Sequence, residues 1–168
     1  MAADVDPRWV AAAMAHDPIA APLGARFLAA LADRVGCEPG VLDAVLVAPP
    51  GGGVPQTDIP VQEVSATGLS HPRVQRAFLH RTDVRVWATP DGAGLLTIGR
   101  GVAGRLEASL EVETDCRGRG LGTALSRAAR SLAAEPLWAQ VAPANTASLR
   151  AFLTAGYRPV GAEVLFGS

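Results

Sequence analysis

The sequence predicts a mixed α/β fold, and two patterns carry that prediction. From Thr82 to Glu113, apolar and polar residues alternate with the period of two that is typical of strands, interrupted by a turn signal at Pro90–Gly92. Before and after this region, apolar residues recur at the spacing of helices. Of the 168 residues, 49% are hydrophobic, which is enough apolar surface for the core of one domain.

The first part of the chain is predicted to be mainly helical. Residues 7–35 have helical spacing, and Gly36 is a suitable stop. A short apolar run at 41–47 predicts a strand, and the Pro/Gly-rich run at 49–55 predicts a loop. The next helix begins at Ser70 or His71 with Pro72 in its first turn, and we expect its inward side chains to be Val74, Phe78 and Leu79.

The second part is predicted to alternate strands and helices. We expect strands at 82–88, 94–98, 105–113, 136–141 and 157–166. A helix over 120–134 has an apolar face made of Leu121, Leu125, Ala128 and Leu132. A last helix is capped by Asn145 and ends at Gly156, with inward side chains Leu149, Phe152 and Leu153.

Composition and charge exclude several classes of protein. The net charge is −1, so the chain lacks the basic surplus of a sequence-independent nucleic-acid binder. The beginning of the sequence has no signal-peptide pattern, and no run of 18 apolar residues is present. Two distant cysteines suggest a reducing compartment, and the three histidines have no metal-ligand spacing. We expect a cytoplasmic protein without a membrane segment or a bound metal.

The segment Val112–Thr123 is the one that indicates chemistry. It runs from a strand through a glycine-rich turn into a helix, and unpaired N–H groups at a helix start attract phosphate. A plain strand-to-helix turn with capping glycines is the alternative. A dinucleotide fingerprint is excluded because Thr123 stands where a third glycine is needed, and a P-loop is excluded because the chain has no lysine.

The pattern Arg117-x-x-Gly120-x-Gly122 resembles the pyrophosphate-binding signature of the GNAT superfamily, the acyl-CoA-dependent N-acetyltransferases. A second element, Asn145–Ser148 followed by Phe152 and Ala155–Tyr157, also matches, so the resemblance covers about half of the chain. It implies a central, twisted, mostly antiparallel sheet with helices on both faces. We expect one domain over 1–168, divided into an N-terminal helical segment (1–48), a loop-rich connection (49–69) and an acyl-CoA-binding core (70–168).

The resemblance also implies roles for particular residues. The backbone of Leu110 and Val112 is expected to pair with the pantetheine arm of CoA, and Asn145 to lie near the thioester. The strand 136–141 is expected to diverge from 106–112 and leave a gap for the ligand. The pyrophosphate is expected to bind at Arg117, Gly118, Arg119, Gly120, Leu121, Gly122 and Thr123.

Two positions depart from the family. Phe152 stands where many members have a tyrosine that protonates the leaving thiolate, and Gln140 stands where some have a glutamate base. Neither catalytic role is therefore assigned to these positions.

A row of carboxylates offers another base. In the strand 105–113, Glu107, Glu111 and Glu113 share one face, whereas the other face is apolar. We expect Glu111 or Glu107 to deprotonate an ammonium group, directly or through water, with Glu113 at the mouth of the cleft. The alternatives are that the carboxylates bind a cationic substrate, or that this face is simply solvated. Cys116 has no recognisable base nearby and is interpreted as a small loop residue.

These observations predict transfer of an acetyl group from acetyl-CoA to a primary amine, by direct attack of the amine on the thioester. An acidic cleft face favours a cationic acceptor, such as a polyamine, an aminoglycoside, an amino acid or a protein N-terminus, without ranking them. The alternative is a non-catalytic CoA-binding or regulatory module, and a third reading is a purely structural interaction domain. The C-terminal strands of this family often pair, so a homodimer is also considered.

Overall fold

A seven-stranded sheet organises the part of the chain that the computed structural model describes, residues 4–52, 58–66 and 69–167. The strand order is β2-β3-β4-β5-β6-β1-β7. The ladders β1–β6, β2–β3, β3–β4 and β4–β5 are antiparallel, and β5–β6 is parallel. The strands are β1 (Glu38–Ala48), β2 (Gln62–Val64), β3 (Thr82–Ala88), β4 (Gly94–Arg100), β5 (Leu106–Val112), β6 (Leu137–Val141) and β7 (Arg158–Gly167).

Five α-helices accompany the sheet in the described residues: α1 (Pro7–Met14), α2 (Ala25–Val35), α3 (Pro72–His80), α4 (Leu121–Leu132) and α5 (Thr146–Thr154). None of these helices is both long and apolar enough to cross a membrane. The chain forms two compact units, one that ends at Asp43 and resumes at Ala162, and one over Ala44–Gly161. The segment boundaries at residues 48 and 69 stay a prediction.

The first unit contains two α-helices over the region of predicted helical spacing, α1 and α2. The Asp17 carboxylate accepts hydrogen bonds from the backbone N–H groups of Ile19 and Ala20, at 3.1 and 2.9 Å, and this turn separates α1 from α2. Within the unit, the rings of Trp9 and Phe27 are stacked with their centroids 5.8 Å apart, and the Arg34 guanidinium lies over Trp9.

The other predicted helices and strands are present with shifts of a few residues, and the mixed α/β fold is confirmed. Strand β2 was not predicted because three residues are too few to show a period. The Pro/Gly-rich run is loop over residues 49–52, and the remainder of that prediction lies outside the described residues. His71 caps α3, since its Nδ1 accepts a hydrogen bond from the Arg73 N–H at 3.2 Å.

The two faces of β5 differ as the alternation predicts. Ala108 on the apolar face is buried in the main hydrophobic core, with Leu106, Leu110 and Val112 packed against that core. Leu125 of α4 and Phe152 of α5 belong to the same core. The opposite face carries Glu107, Ser109 and Glu111, which contact Arg73 of α3 and Arg81, the C-cap residue of that helix. Helices therefore cover both faces of the sheet.

Helix α3 corrects two expected core positions. Phe78 and Leu79, predicted to point inward, are 51% and 77% exposed. The buried apolar residues are Val74 and Ala77. Arg73 lies on the same side of the helix as Ala77, and Arg81, the C-cap residue that follows the helix, also contacts the charged strand face. The helix takes this rotation because the strand face beneath it is charged, so arginines rather than large apolar side chains meet it.

Leu153 of α5 is a third correction, because it was expected to point inward and is 46% exposed. Its neighbour Phe152 is buried as predicted, at 3% exposure, and packs edge-to-face against Tyr157 with ring centroids 4.9 Å apart. At a helical rotation of 100° per residue, only one of these two adjacent side chains can face the core.

We expect Phe152→Ala to lower the free energy of unfolding by about 3–5 kcal/mol, because it opens a cavity in the core. Leu153→Ala on the same turn is the matched control and should cost about 0.5 kcal/mol. Urea denaturation followed by circular dichroism measures both changes. Equal losses for the two variants would contradict the assigned rotation of α5.

Candidate functional site

A gap opens in the sheet where β5 and β6 diverge. The two parallel strands pair only at Leu106–Leu137 and Glu107–Trp138. Beyond these pairs β5 continues to Val112 and β6 to Val141 without pairing to each other, and both strands lie wholly within the described ranges. The separation of the strands that was expected from the sequence is therefore present.

The free edge of β5 presents backbone groups to this gap. Glu113 donates its backbone N–H to Ala93 O at 2.9 Å, so the register makes Glu111 and Ser109 the residues that hydrogen-bond to β4. The N–H and C=O groups of Leu110 and Val112 consequently point away from β4, toward the gap. This edge is half-buried at Leu110 and Val112, so its polar groups need a partner, either a ligand or water.

One of these backbone groups already has a partner. The Val112 carbonyl accepts a hydrogen bond from Arg117 Nε at 3.0 Å. Arg117, which was expected to contact pyrophosphate, therefore has part of its guanidinium turned back onto the end of β5. This contact ties the glycine-rich loop to the strand.

The start of α4 forms the next wall of the site. Gly118 and Gly120 have φ values of +75° and +86°, a conformation that favours glycine, and Gly120 is the N-cap without a side-chain hydrogen bond. The first intrahelical bond in this turn is from Ala124 N to Gly120 O at 3.1 Å. The backbone N–H groups of Leu121, Gly122 and Thr123 precede this bond and are free to bind an anion.

Gly122 allows α4 to pack closely. A Cβ atom there would lie 3.6 Å from the Ala151 Cβ of α5 and 3.9 Å from Val112 Cγ2. Gly122 thus brings the end of β5, the start of α4 and the middle of α5 together, rather than opening toward solvent.

A shallow cleft of about 440 Å³ lies beside this helix start. Arg119 lines it and has no ion pair among the described residues, whereas Arg127 lies 3.5 Å from the Asp58 carboxylate in an exposed pair. The remaining lining residues are Ile59, Gly120, Leu121, Thr123 and Ala124. The cleft therefore combines free backbone N–H groups with positive charge. A second cleft, at the other end of α4, contains neither β5 nor the glycine-rich loop.

Asn145 lies four residues beyond β6, at the start of α5. Its side-chain oxygen accepts a hydrogen bond from the Ser148 N–H at 3.1 Å, and its backbone N–H donates to Ala142 O at 2.8 Å. The side chain is exposed, so its amide NH₂ group is accessible while its oxygen caps the helix.

Glu111 lies on the α3 side of the gap in an ion pair. Its Oε2 accepts a hydrogen bond from Arg73 Nε at 2.8 Å, and the two side chains are 34% and 37% exposed. The Arg73 guanidinium lowers the pKa of the Glu111 carboxyl below its usual value, with smaller contributions from the charges of His71 and Arg117. Glu111 is consequently ionised throughout the neutral range and lies within electrostatic reach of the glycine-rich loop.

Glu107 is in a different environment, because its side chain is only 4% exposed. Its Oε2 accepts from Arg81 Nε at 3.1 Å, and its Oε1 accepts from Arg105 Nε at 2.8 Å and from the Val102 N–H at 3.2 Å. The carboxylate packs directly on Gly101, where a Cβ atom would collide with it. The interpretation of the carboxylate row as a solvated face is therefore wrong at Glu107, which is buried and saturated with partners.

The buried network extends further along the sheet. Arg81 Nη1 donates to Ser109 Oγ at 3.3 Å, and Ser109 Oγ is 2.7 Å from Thr97 Oγ1. Burial lowers the pKa of Arg81, and Glu107 opposes that effect.

The chain's single tyrosine is not placed to exchange protons with a ligand. Tyr157 is 2% exposed, its hydroxyl lies 3.5 Å from Ser126 O, and burial raises its pKa. Cys116 is half-buried in the turn before the loop and has no side-chain partner among the described residues. No group of three or more His, Cys, Asp or Glu side chains in the described ranges could hold a metal ion.

Sequence reasoning missed two arginines, Arg73 of α3 and Arg81, the residue that follows the helix. Each stands four residues from the buried Ala77. That spacing was visible in the sequence, but the larger side chains Phe78 and Leu79 were taken to mark the inward face.

We expect Glu107→Gln to lower the free energy of unfolding by about 3 kcal/mol or more, because it removes the buried carboxylate that neutralises the buried Arg81 guanidinium. The control is Glu63→Gln, which breaks the exposed ion pair with Arg85 (2.7 Å) and should cost about 1 kcal/mol or less. Thermal and urea unfolding of both variants test this difference. A Glu107→Gln protein as stable as the control would contradict a structural role.

Comparison with known proteins agrees with this geometry. The family model described as acetyltransferase (GNAT) family matches residues 72–157, just over half of the chain. No curated protein shows significant sequence similarity to the chain.

Two solved structures share the fold. A GCN5-related N-acetyltransferase from Sphaerobacter thermophilus is 18% identical with a TM-score of 0.50, covering 84% of this chain and 56% of that one. A Drosophila protein from a structural genomics consortium is 15% identical with a TM-score of 0.53, covering 83% and 55%. This chain therefore spans little more than half the length of either protein. The segment matched by the family model, residues 72–157, contains β5, the glycine-rich loop and α5. By its match to this model, the chain belongs to the acetyltransferase (GNAT) family.

Proposed function

We propose that this protein transfers an acyl group, most simply acetyl, from acyl-CoA to a primary amine. The observation that carries the proposal is the gap between β5 and β6 that opens directly beside the anion-binding start of α4. A ligand with an extended amide-containing arm and a pyrophosphate would satisfy both features at once. CoA is such a ligand, and membership of the family supports this assignment.

In this proposal CoA lies along the free edge of β5. Its pantetheine amides take the place of a missing strand and hydrogen-bond to the backbone of Leu110 and Val112. The pyrophosphate lies over Gly118–Thr123, where the N–H groups of the first turn and the positive end of the helix dipole stabilise it. Arg119 adds a free positive charge, Arg117 holds the loop, and the Asn145 amide NH₂ is available to the pantetheine.

Glu111 is the proposed acceptor-side carboxylate. An amine arrives largely protonated at neutral pH, and an ionised carboxylate beside the gap attracts it and passes its proton to water. The ion pair with Arg73 keeps Glu111 charged and also makes it a weaker base, so electrostatic attraction of the ammonium is its larger contribution. Glu107, the other candidate, is fully engaged by Arg81 and Arg105, and we propose that it supports β5 rather than reacts.

The reaction needs no covalent enzyme intermediate. The amine nitrogen attacks the thioester carbonyl carbon, the C–S bond breaks, and the CoA thiolate leaves. A backbone N–H at the free edge of β5 polarises the carbonyl. Because Phe152 is buried and Tyr157 points into the core, the thiolate leaves as the anion or takes a proton from water.

The alternative is a non-catalytic module that binds CoA or a regulatory partner. Phe152 and Gln140, which replace the proton-transfer residues found in other members, favour it. A thiol-release assay with an amine panel distinguishes the two, since only the enzyme frees CoA. A cytoplasmic location and a homodimer are also part of this proposal, and both are predictions made from the sequence.

We expect Gly120→Asp to weaken acetyl-CoA binding roughly tenfold or more relative to Gly120→Asn. Both substitutes tolerate a positive φ and can cap α4, but only aspartate places a negative charge where the pyrophosphate must lie. Calorimetric titration measures the affinities, and unfolding curves check that both variants fold equally well. Equal affinities would place the CoA site elsewhere.

We expect Glu111→Gln to reduce turnover at limiting amine roughly tenfold to hundredfold, because the ammonium group loses the charge that attracts it, with unchanged affinity for acetyl-CoA. The pKa of Glu111 is lowered from its ordinary value of about 4.5, so the carboxylate stays charged down to a pH below that value. Titration of Glu111 should therefore cause no loss of wild-type activity between pH 6 and 9. The variant's pH optimum should move upward, because only amine that is already neutral can react. Wild-type turnover in the variant at every pH would exclude this role.

A further inference from the structure

The acceptor side of the gap carries two opposite charges next to each other. The Arg73 guanidinium and the Glu111 carboxylate are joined by a single hydrogen bond from Nε to Oε2, and both are about one third exposed. No other hydrogen bond or ion pair engages the Arg73 side chain within the described residues. Its two NH₂ groups therefore remain available to an anion.

Two carboxylates of the predicted row are paired with arginines, Glu107 with Arg81 and Arg105, and Glu111 with Arg73. Glu107 is buried, so the partly exposed pair of Arg73 and Glu111 is the one that a ligand can reach. This pair offers one charge of each sign. An acceptor that carries a negative charge beside its ammonium group can interact with both charges.

We propose that the acceptor is a free α-amino acid, whose carboxylate binds Arg73 while its ammonium group lies against Glu111. This inference rests on the proposed function and names its substrate class. Covalent geometry separates the ammonium nitrogen of an α-amino acid from its carboxylate carbon by about 2.5 Å. The two charges of such a zwitterion can therefore pair side by side with the adjacent charges of Arg73 and Glu111.

This arrangement ranks the four acceptor classes that the sequence left equal. A polyamine and an aminoglycoside have no carboxylate for Arg73. A protein N-terminus has an amide in place of the neighbouring carboxylate. Only the amino acid uses both members of the ion pair, and the planar guanidinium is suited to bind its carboxylate through two parallel hydrogen bonds.

The step is balanced without a further reactant. The ammonium loses one proton to water beside Glu111, and the amine nitrogen forms a bond with the thioester carbonyl carbon. The C–S bond then breaks with its electron pair on sulfur. The nitrogen gives its second proton to the CoA thiolate, directly or through water, and the products are an N-acyl amino acid and CoA.

The test compares acceptors that differ only in the carboxylate. CoA release from acetyl-CoA is measured with α-amino acids of varied side chain, with their amides, and with the corresponding decarboxylated amines. Each acceptor is tested on the wild type, Arg73→Gln and Arg76→Gln. Arg76 is an exposed arginine of the same helix without an ion pair in the described residues, so it is the matched control.

We expect at least one amino acid to exceed its amide in kcat/KM by roughly tenfold to hundredfold in the wild type. Arg73→Gln should bring the ratio of the two kcat/KM values close to one, mainly by raising KM for the amino acid. Arg76→Gln should leave the ratio as it is in the wild type. Comparing ratios between variants cancels the different basicities of the amines. A merely structural role of Arg73 would lower activity with all acceptors and leave the ratio unchanged, which would overturn the inference.

Failure of the inference and failure of the proposed function give different results. Turnover of amides or polyamines but of no amino acid would overturn the inference and leave acyl transfer intact. No CoA release with any amine, together with tight acetyl-CoA binding, would overturn both and favour the non-catalytic module. No binding of acetyl-CoA would reject the CoA site itself.

Discussion

The seven residues of strand β5 meet a different neighbour on each edge and on each face, and the rest of the site depends on these contacts. One edge pairs along its whole length with β4, so the strand is held firmly. One face joins the apolar core beneath α4 and α5, and the other binds Arg73 of α3 and Arg81, which follows that helix. The second edge pairs with β6 only at its beginning. A strand fixed on three sides can leave part of the fourth open without unfolding.

The charged face of β5 is stabilised by the way its carboxylates are partnered. Glu107 is removed from water and has three hydrogen-bond donors, which is the condition under which a buried charge is tolerated. Glu111, four residues on, remains partly exposed with one partner. The same residue type therefore supports the fold at one position and is available to a ligand at the other, because the turn at Gly101 and Val102 packs on Glu107.

The glycine-rich loop shows how local conformation and ligand chemistry coincide. Positive φ values at Gly118 and Gly120 turn the chain from β5 into α4 within a few residues. The same turn leaves the first N–H groups of the helix facing the open cleft. Arg117 reinforces the geometry from the side by binding the Val112 carbonyl. The loop is thus built by backbone requirements that also make it an anion site.

Much of this protein was determined by the sequence itself. Period-two alternation, helix caps and glycine stops depend on neighbours within a few residues, so they predicted the helices and most strands. Short-range spacing also placed Arg117, Gly120 and Gly122 at a strand-to-helix turn and Asn145 at a helix start. These features can be read locally because backbone geometry and hydrogen bonding over one or two turns decide them.

Only the tertiary structure decided which side chains meet. The position of β1 between β6 and β7, the exposure of Phe78, Leu79 and Leu153, and the pairing of Glu111 with Arg73 depend on segments far apart in the chain. Alternation placed Glu107 and Glu111 on one face, but it could not show that the first is buried and the second is accessible. That difference arises because Arg81, Arg105 and the turn at Gly101 and Val102 meet at Glu107, whereas Glu111 pairs with Arg73. No local pattern in any one of these segments specifies that meeting.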